Sequence, residues 1–351
     1  MKIAIITPFF YPHIGGMERS LFNLSKGLQK TGNDVIIFTT NYGGTASDLD
    51  FRIIRNKSNE LFDWANNIKY FIQSYGPFEA IIYGGIGRDV FDGILESLKE
   101  FKDSTTKSFL RIPTSDHVNR HLRDTNARDI LSRFNHIVCI DKIAMDELKE
   151  KYGLKSIHYI PNGVDINLYA PVIPFSKRAS TILYSGRIAK RKNIEVVLSL
   201  ARNFNMKYNF LIQGSPSYGE IDYYNSIINS FKSLENVSLI DPSWDNHKVY
   251  KQAGIFILPS DVEGCANSLL EAMSSELYCF ASNIVENETI ISKYGTLFNL
   301  GSKTIEEHLN NFQEKLDKNT LLIKTGREHI IKHFSIDRTV EKWMKILNDN
   351  I

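Results

Sequence analysis

At 351 residues, with 42% hydrophobic and 23% charged side chains, the chain has the composition of an ordinary globular protein. It exceeds the size at which one core keeps growing, so two domains are expected. A net charge of +2 gives no reason to expect nucleic acid as a partner. The three cysteines, Cys139, Cys265 and Cys279, are odd in number and form no CxxC pair, which argues against a disulfide framework or a zinc site and favours a reducing compartment. No run approaches the roughly 18 apolar residues that span a bilayer. The expected location is cytoplasmic, with any membrane contact peripheral and at the inner face.

Lys2 to Thr7 reads as a first strand, followed by the loop Pro8–Gly16 and a helix whose Met17, Leu21, Leu24 and Leu28 share one face. Glu18 and Arg19 fall off that face. Asp34–Thr39 supplies a second strand, so the opening is a βαβ unit. Gly15-Gly16 is a glycine pair that lets backbone approach a ligand, or simply a tight turn; it is not the GxGxxG of a dinucleotide site. Further strands are expected at Ala80–Tyr83, Ser108–Ile112 and Ile137–Ile140, with a helix over Lys142–Tyr152, and Ile157 to Ile160 leads into Pro161-Asn162-Gly163-Val164-Asp165. Gly84, Gly85 and Gly87 follow the first of these. Arg111 near the end of the second, with Asp116 and His117 beyond it, could line a cleft, although a lone histidine is more often structural. Asn119 to Arg133 is polar and mildly basic, most simply a solvated helical face. Prolines 171 and 174, with Lys177, Arg178 and Ser180 after them, read as a linker near 170–179.

The second half restarts the pattern with strands at Thr181–Tyr184, Asn209–Gln213, Val237–Ile240 and Gly254–Leu258. Between the first strand and its helix lies Gly186-Arg187-Ile188-Ala189-Lys190-Arg191-Lys192-Asn193, with four cations in six residues. Clustered cations at such a turn suit a diphosphate, although a solvated basic turn has the same composition. The stretch that organises the chain follows Leu258: Pro259-Ser260-Asp261-Val262-Glu263-Gly264-Cys265-Ala266-Asn267-Ser268-Leu269-Leu270-Glu271-Ala272-Met273. Asn267 stands where an N-cap belongs, leaving amides free at the positive end of a helix that suits an anion. Glu263 before the helix and Glu271 one turn inside it bracket that end. Carboxylates there grip hydroxyls, or else sit in solvent and in a surface pair. Cys265 reads as a small buried residue rather than a nucleophile.

Taken together and in this order, four motifs resemble retaining glycosyltransferases of family 4, which have the GT-B fold. They are Gly15-Gly16-Met17-Glu18, Ile160-Pro161-Asn162-Gly163-Val164-Asp165, Gly186-Arg187 with Lys192, and Glu263 with Glu271. The likeness covers nearly the whole chain. It implies an α/β architecture of two Rossmann-like doubly wound domains facing across a cleft: residues 1–170 on the acceptor side, 171–334 holding the nucleotide sugar, and a tail, 335–351, that returns to the first domain.

The resemblance also implies roles. Arg187 and Lys192 would hold the donor diphosphate and stabilise its growing charge without a metal. Glu271 would accept hydrogen bonds from the ribose, and Glu263 would lie beneath the sugar near its anomeric carbon. The amides of Gly264, Cys265, Ala266, Asn267, Ser268 and Leu269 would meet sugar and phosphate, with Gly214 lining the same site. Gly15 and Gly16 would approach the phosphate from the other domain as the cleft closes. The family's catalytic-site histidine corresponds either to His117 or, in a different register, to the place of Asp116. The implied activity is a retaining, metal-independent transfer of a hexosyl unit from a UDP- or GDP-sugar, a co-substrate rather than a bound cofactor, to a glycan or lipid-linked acceptor in surface polysaccharide assembly. The competing readings are a sugar-nucleotide epimerase of the same fold and a catalytically silent sugar-nucleotide-binding subunit. Departures from the family pattern, Glu276-Leu277-Tyr278 for Gly-x-Pro and Val285-Glu286 for a Gly-Gly turn, bear on donor identity more than on the reaction.

Overall fold

A computed structural model describes residues 1–42, 51–85, 90–101, 104–114 and 127–349. The chain divides into two compact units, Met1–Gly163 with Ile336–Ile351, and Val164–Ser335. No helix among the described residues is long and apolar enough to cross a membrane.

The first unit is built on β1 (Lys2–Ile6), β2 (Asp34–Thr39), β3 (Arg52–Arg55), β4 (Ala80–Gly84), β5 (Lys107–Ile112), β6 (His136–Cys139) and β7 (Ile157–Tyr159). Their order is β3-β2-β1-β4-β5-β6-β7, every neighbour parallel. Strands this apolar are buried on both faces because helices cover both. Ala4, Ile6, Ile36, Phe38, Ile81 and Tyr83 point to one core, which the helix Leu61–Tyr75 closes with Trp64, Ile68 and Phe71. Ile3, Ile5, Val35, Ile37 and Ile82 point to the other, covered by Leu21, Leu24 and Leu28 of the helix Gly16–Lys30. Beside it packs the helix Ile336–Asn348 through Val340, Trp343, Ile346 and Leu347. Gly27 makes that approach close: a Cβ there would lie 2.3 Å from the Val340 side chain.

The second unit carries β8 (Thr181–Ser185), β9 (Asn209–Gln213), β10 (Val237–Ile240), β11 (Ile255–Leu258), β12 (Tyr278–Ser282) and β13 (Thr296–Phe298). Their order, β10-β9-β8-β11-β12-β13, is again wholly parallel. Strand order reverses between β8 and β11. In open parallel sheets, ligands collect outside the carboxyl ends of the strands at such a switch point.

Several expectations need correction. The sequence pattern does not announce β3, β7, β12 or β13. β12, Tyr-Cys-Phe-Ala-Ser, is buried throughout, but its short apolar run follows the helix Asn267–Ser274 so closely that no period separates the two. The divisions fall at 163/164 and 335/336, not at 170/171 and 334/335. Val164 bridges to Ser335, and the Val164 amide donates to the Phe334 carbonyl at 2.9 Å, so both segments are fastened inside the second unit. The stretch 170–179 is not a linker. Phe175 and Ala179 are in the core, and the buried Arg178 donates to the carbonyls of Ile173, Ala253, Ser275 and Glu276 at 2.5–3.1 Å.

Candidate active site

The switch point of the second sheet assembles the site. The loop after β8 and the loop after β11 leave neighbouring strands at the same end, and side chains stitch them together. Asn193, at φ 47°, donates to the Pro259 carbonyl at 3.0 Å and to Asp261 Oδ1 at 2.7 Å. The Asp261 amide donates back to the Arg191 carbonyl at 2.9 Å. The Lys192 ammonium consequently reaches Glu263 Oε1 in a short ion pair between two largely buried side chains. Burial holds the Lys192 pKa below its ordinary value against the pull of Glu263, and the cations of Arg191 and Arg187 add to the lowering. Four cations within six residues thus concentrate positive charge in a loop that also bonds the carboxylates of Glu263, Glu220 and Asp261.

Arg187 is half-buried in the same loop, and its carbonyl accepts from Tyr184 at 2.6 Å. Gly214, at the end of β9, lies against this loop so closely that a Cβ would stand 2.3 Å from the Gly186 carbonyl oxygen. The Ser215 carbonyl accepts from the Ile188 amide at 2.9 Å, fixing the contact. Its glycine is therefore a packing requirement of the cationic loop.

The helix Asn267–Ser274 begins at the other side of the Glu263 loop. Asn267 is its first helical residue and not its N-cap. Ala266 takes the cap position without a side-chain hydrogen bond, and its carbonyl receives the amides of Leu269 and Leu270 at 3.1 and 3.2 Å. The helix end therefore has its positive pole at the Glu263 loop without a capping side chain from Ala266. Cys265 is buried and makes no disulfide, as are Cys139 and Cys279. Glu271 is also buried rather than in a surface pair. Its Oε2 accepts from Asn246 Nδ2 at 3.1 Å, and Asn246 Oδ1 accepts from the Tyr169 hydroxyl at 2.5 Å. Sequence reasoning missed Tyr169 and Asn246, because neither lies in a motif and they stand 77 residues apart.

In the first unit, Gly15 is the extended N-cap of the helix Gly16–Lys30, and its φ of −172° is open to any residue. Glu18 and Arg19, off the apolar face of that helix, are buried as well; Glu18 Oε1 lies 3.1 Å from His13 Nδ1. Arg111 is not a cleft-lining cation. It is buried and donates to Ser20 Oγ at 2.5 Å and Asn162 Oδ1 at 2.6 Å, tying β5 to the first helix and to the Pro161-Asn162-Gly163 turn. Asp116, His117 and Gly87, with the basic stretch up to Asn126, lie outside the described residues.

Residues 166–329 match the family of glycosyl transferases group 1. Over its whole length the chain is 24% identical to a human protein named as one of the subunits of phosphatidylinositol N-acetylglucosaminyltransferase, covering 76% of that protein. It is 26% identical to an Escherichia coli UDP-Gal:alpha-D-GlcNAc-diphosphoundecaprenol alpha-1,3-galactosyltransferase, over 58% of this chain and 55% of that one. Among solved structures, Anabaena HepE in complex with UDP-glucose superposes with a TM-score of 0.79 at 14% identity, over 99% of both chains. Two parallel doubly wound sheets, with cations and the start of the Asn267 helix at the second switch point, match the GT-B fold, and the matching relatives are glycosyltransferases. The group 1 match lies within the second unit, and together with these relatives it supports a GT4-type glycosyltransferase.

Proposed function

We propose that the protein transfers a hexosyl unit, with retention and without a metal ion, from a UDP- or GDP-sugar to a lipid-linked or glycan acceptor in surface polysaccharide assembly. The observation that carries this reading is the stitching of the loops after β8 and β11, which gathers Lys192, Glu263 and Arg187 in the loops that meet at the start of the Asn267 helix. A nucleoside diphosphate leaving group gains negative charge as the glycosidic bond lengthens. Fixed cations and helix amides aimed at that charge stabilise the transition state more than the ground state. In this reading the arriving diphosphate draws Lys192 from Glu263, and the released carboxylate accepts hydroxyls of the sugar near the anomeric carbon. Glu271 accepts from the ribose. The acceptor class is supported by the galactosyltransferase similarity, since that relative is named for a diphosphoundecaprenol-linked substrate.

The test is incubation with radiolabelled UDP- and GDP-sugars and a cell-envelope extract, with EDTA present. Label in a lipid-linked or glycan product, with its anomeric configuration matching the donor's, is the expected result. A new nucleotide sugar instead would mean epimerisation, binding without turnover would mean a silent binding protein, and dependence on added divalent metal would remove the metal-free part.

A further inference from the structure

Glu271 is 4% exposed, and a carboxylate so far from water points where its neighbours direct it. Asn246 Nδ2 donates to its Oε2 at 3.1 Å. A primary amide has two nearly isosteric orientations, one presenting NH2 and the other its oxygen. Only the first attracts a carboxylate. The carboxylate, an acceptor only, selects the first, and the Tyr169 hydroxyl holds the amide in it by donating to Asn246 Oδ1 at 2.5 Å. Tyr169 is itself immobilised. Its ring is buried edge-on against Tyr250 at 5.5 Å and His247 at 6.4 Å. Its carbonyl accepts from Ser275 Oγ at 3.2 Å and from Arg327 at 3.3 Å, and its amide donates to the Asp165 carbonyl at 3.0 Å. Burial, then Glu271 and Tyr169, hold the neighbouring Tyr250 phenol in its neutral form.

We infer that Tyr169 and Asn246 are positioning residues that aim Glu271 at the cis-diol of a nucleotide ribose, with the Tyr169 hydroxyl locking the Asn246 amide. The inference rests on the reading of Glu271 as the ribose anchor. A cis-diol offers two donors from adjacent oxygens, and a carboxylate accepts both only when its plane is fixed. Asn246 fixes that plane through Oε2. Without the lock, the Asn246 oxygen loses its partner, the amide can shift, and the carboxylate plane it holds shifts away from the diol with it.

The experiment is calorimetry with UDP, GDP and the 2′-deoxy and 3′-deoxy form of each, on the wild type, Tyr169→Phe, Asn246→Ala and Glu271→Ala, with a thermal melt of each variant. Tyr169→Phe keeps the ring and its packing, so it carries the test even where Asn246→Ala does not fold. The wild type is expected to prefer the ribonucleotide by about tenfold, the discrimination of a diol-binding carboxylate. Tyr169→Phe is expected to narrow that ratio below about threefold, weakening the ribonucleotide and leaving the deoxy forms nearly unchanged. A purely structural role weakens both alike. Equal weakening, or an unchanged ratio in Tyr169→Phe with a collapsed one in Glu271→Ala, overturns the inference and leaves the ribose reading standing. A wild-type ratio near one, a ratio untouched by Glu271→Ala, or binding of neither nucleotide overturns that reading along with it.

Discussion

The Lys192 ammonium bonds to Glu263 Oε1 across two loops that leave adjacent parallel strands, although 71 residues separate the two in sequence. The pair has a functional cost and a structural one, and substitution separates them. Lys192→Ala and Glu271→Ala are each expected to weaken donor binding or turnover by at least about tenfold, roughly 1.4 kcal/mol, the scale of one charge-assisted hydrogen bond. Lys192→Ala should also destabilise the fold by on the order of 1–3 kcal/mol, because it strands a largely buried Glu263. Lys192→Met with Glu263→Gln removes both charges, and should recover most of that stability while remaining inactive. Urea melts beside initial-rate kinetics check both halves. Wild-type kinetics in the two single variants would remove the donor-site assignment.

How far this site could be read beforehand follows from its construction. Gly186, Arg187 and Lys192 sit in one strand-to-helix turn, and Glu263 and Glu271 in the next, so local pattern discloses each. Their meeting is set by strand order, β8 beside β11, which periodicity does not encode. Tyr169 and Asn246 were invisible for the same reason. Burial of Arg111, Arg178 and Glu18 was missed because charged residues read as surface until their partners are known. Arg178 finds its partners at four carbonyls, three of them more than 70 residues away.

Arg178 is accordingly predicted to be a structural keystone of the second unit. Burial pushes its pKa down to about 10, with Glu276 opposing the shift. The guanidinium satisfies backbone oxygens of Ile173, Ala253, Ser275 and Glu276 that would otherwise lack those bonds. Arg178→Met should cost about 3 kcal/mol or more in urea unfolding. Arg178→Lys should recover little, since an ammonium lacks the planar fork. Retention of wild-type stability in Arg178→Met would show that these contacts are incidental.

Glu276 offers the opposite change. It has φ 56°, in the left-handed region that favours glycine. A side chain there costs roughly 1–2 kcal/mol, partly offset by glycine's extra freedom in the unfolded chain. Glu276→Gly should therefore stabilise the protein by about 0.5–1 kcal/mol. A melting temperature that falls instead would mean that the carboxylate's attraction to Arg178 and Arg327 outweighs the backbone strain.

The first unit should respond to acid through a histidine pair. His136 Nδ1 lies 3.1 Å from His158 Nε2, across the paired strands β6 and β7. Burial lowers the pKa of both below the ordinary 6.5. His158 and then Lys107 lower His136 further, while Asp349 pulls in the opposite direction on both. Folded values below the unfolded one mean that the unfolded chain binds protons first as pH falls. The pair's contribution is thus intact above about pH 6.5 and is lost progressively below it. Two imidazoliums cannot share that hydrogen bond, and the charge would appear beside Lys107, whose ammonium holds the carbonyls of Leu347 and Asp349 at the end of the C-terminal helix. His158→Gln should flatten the fall in melting temperature between pH 7 and pH 5, and hydrogen exchange should register the difference first in Ile336–Asn348. An identical pH profile in the variant would assign the acid sensitivity elsewhere, with His329, also lowered by burial, next to be replaced.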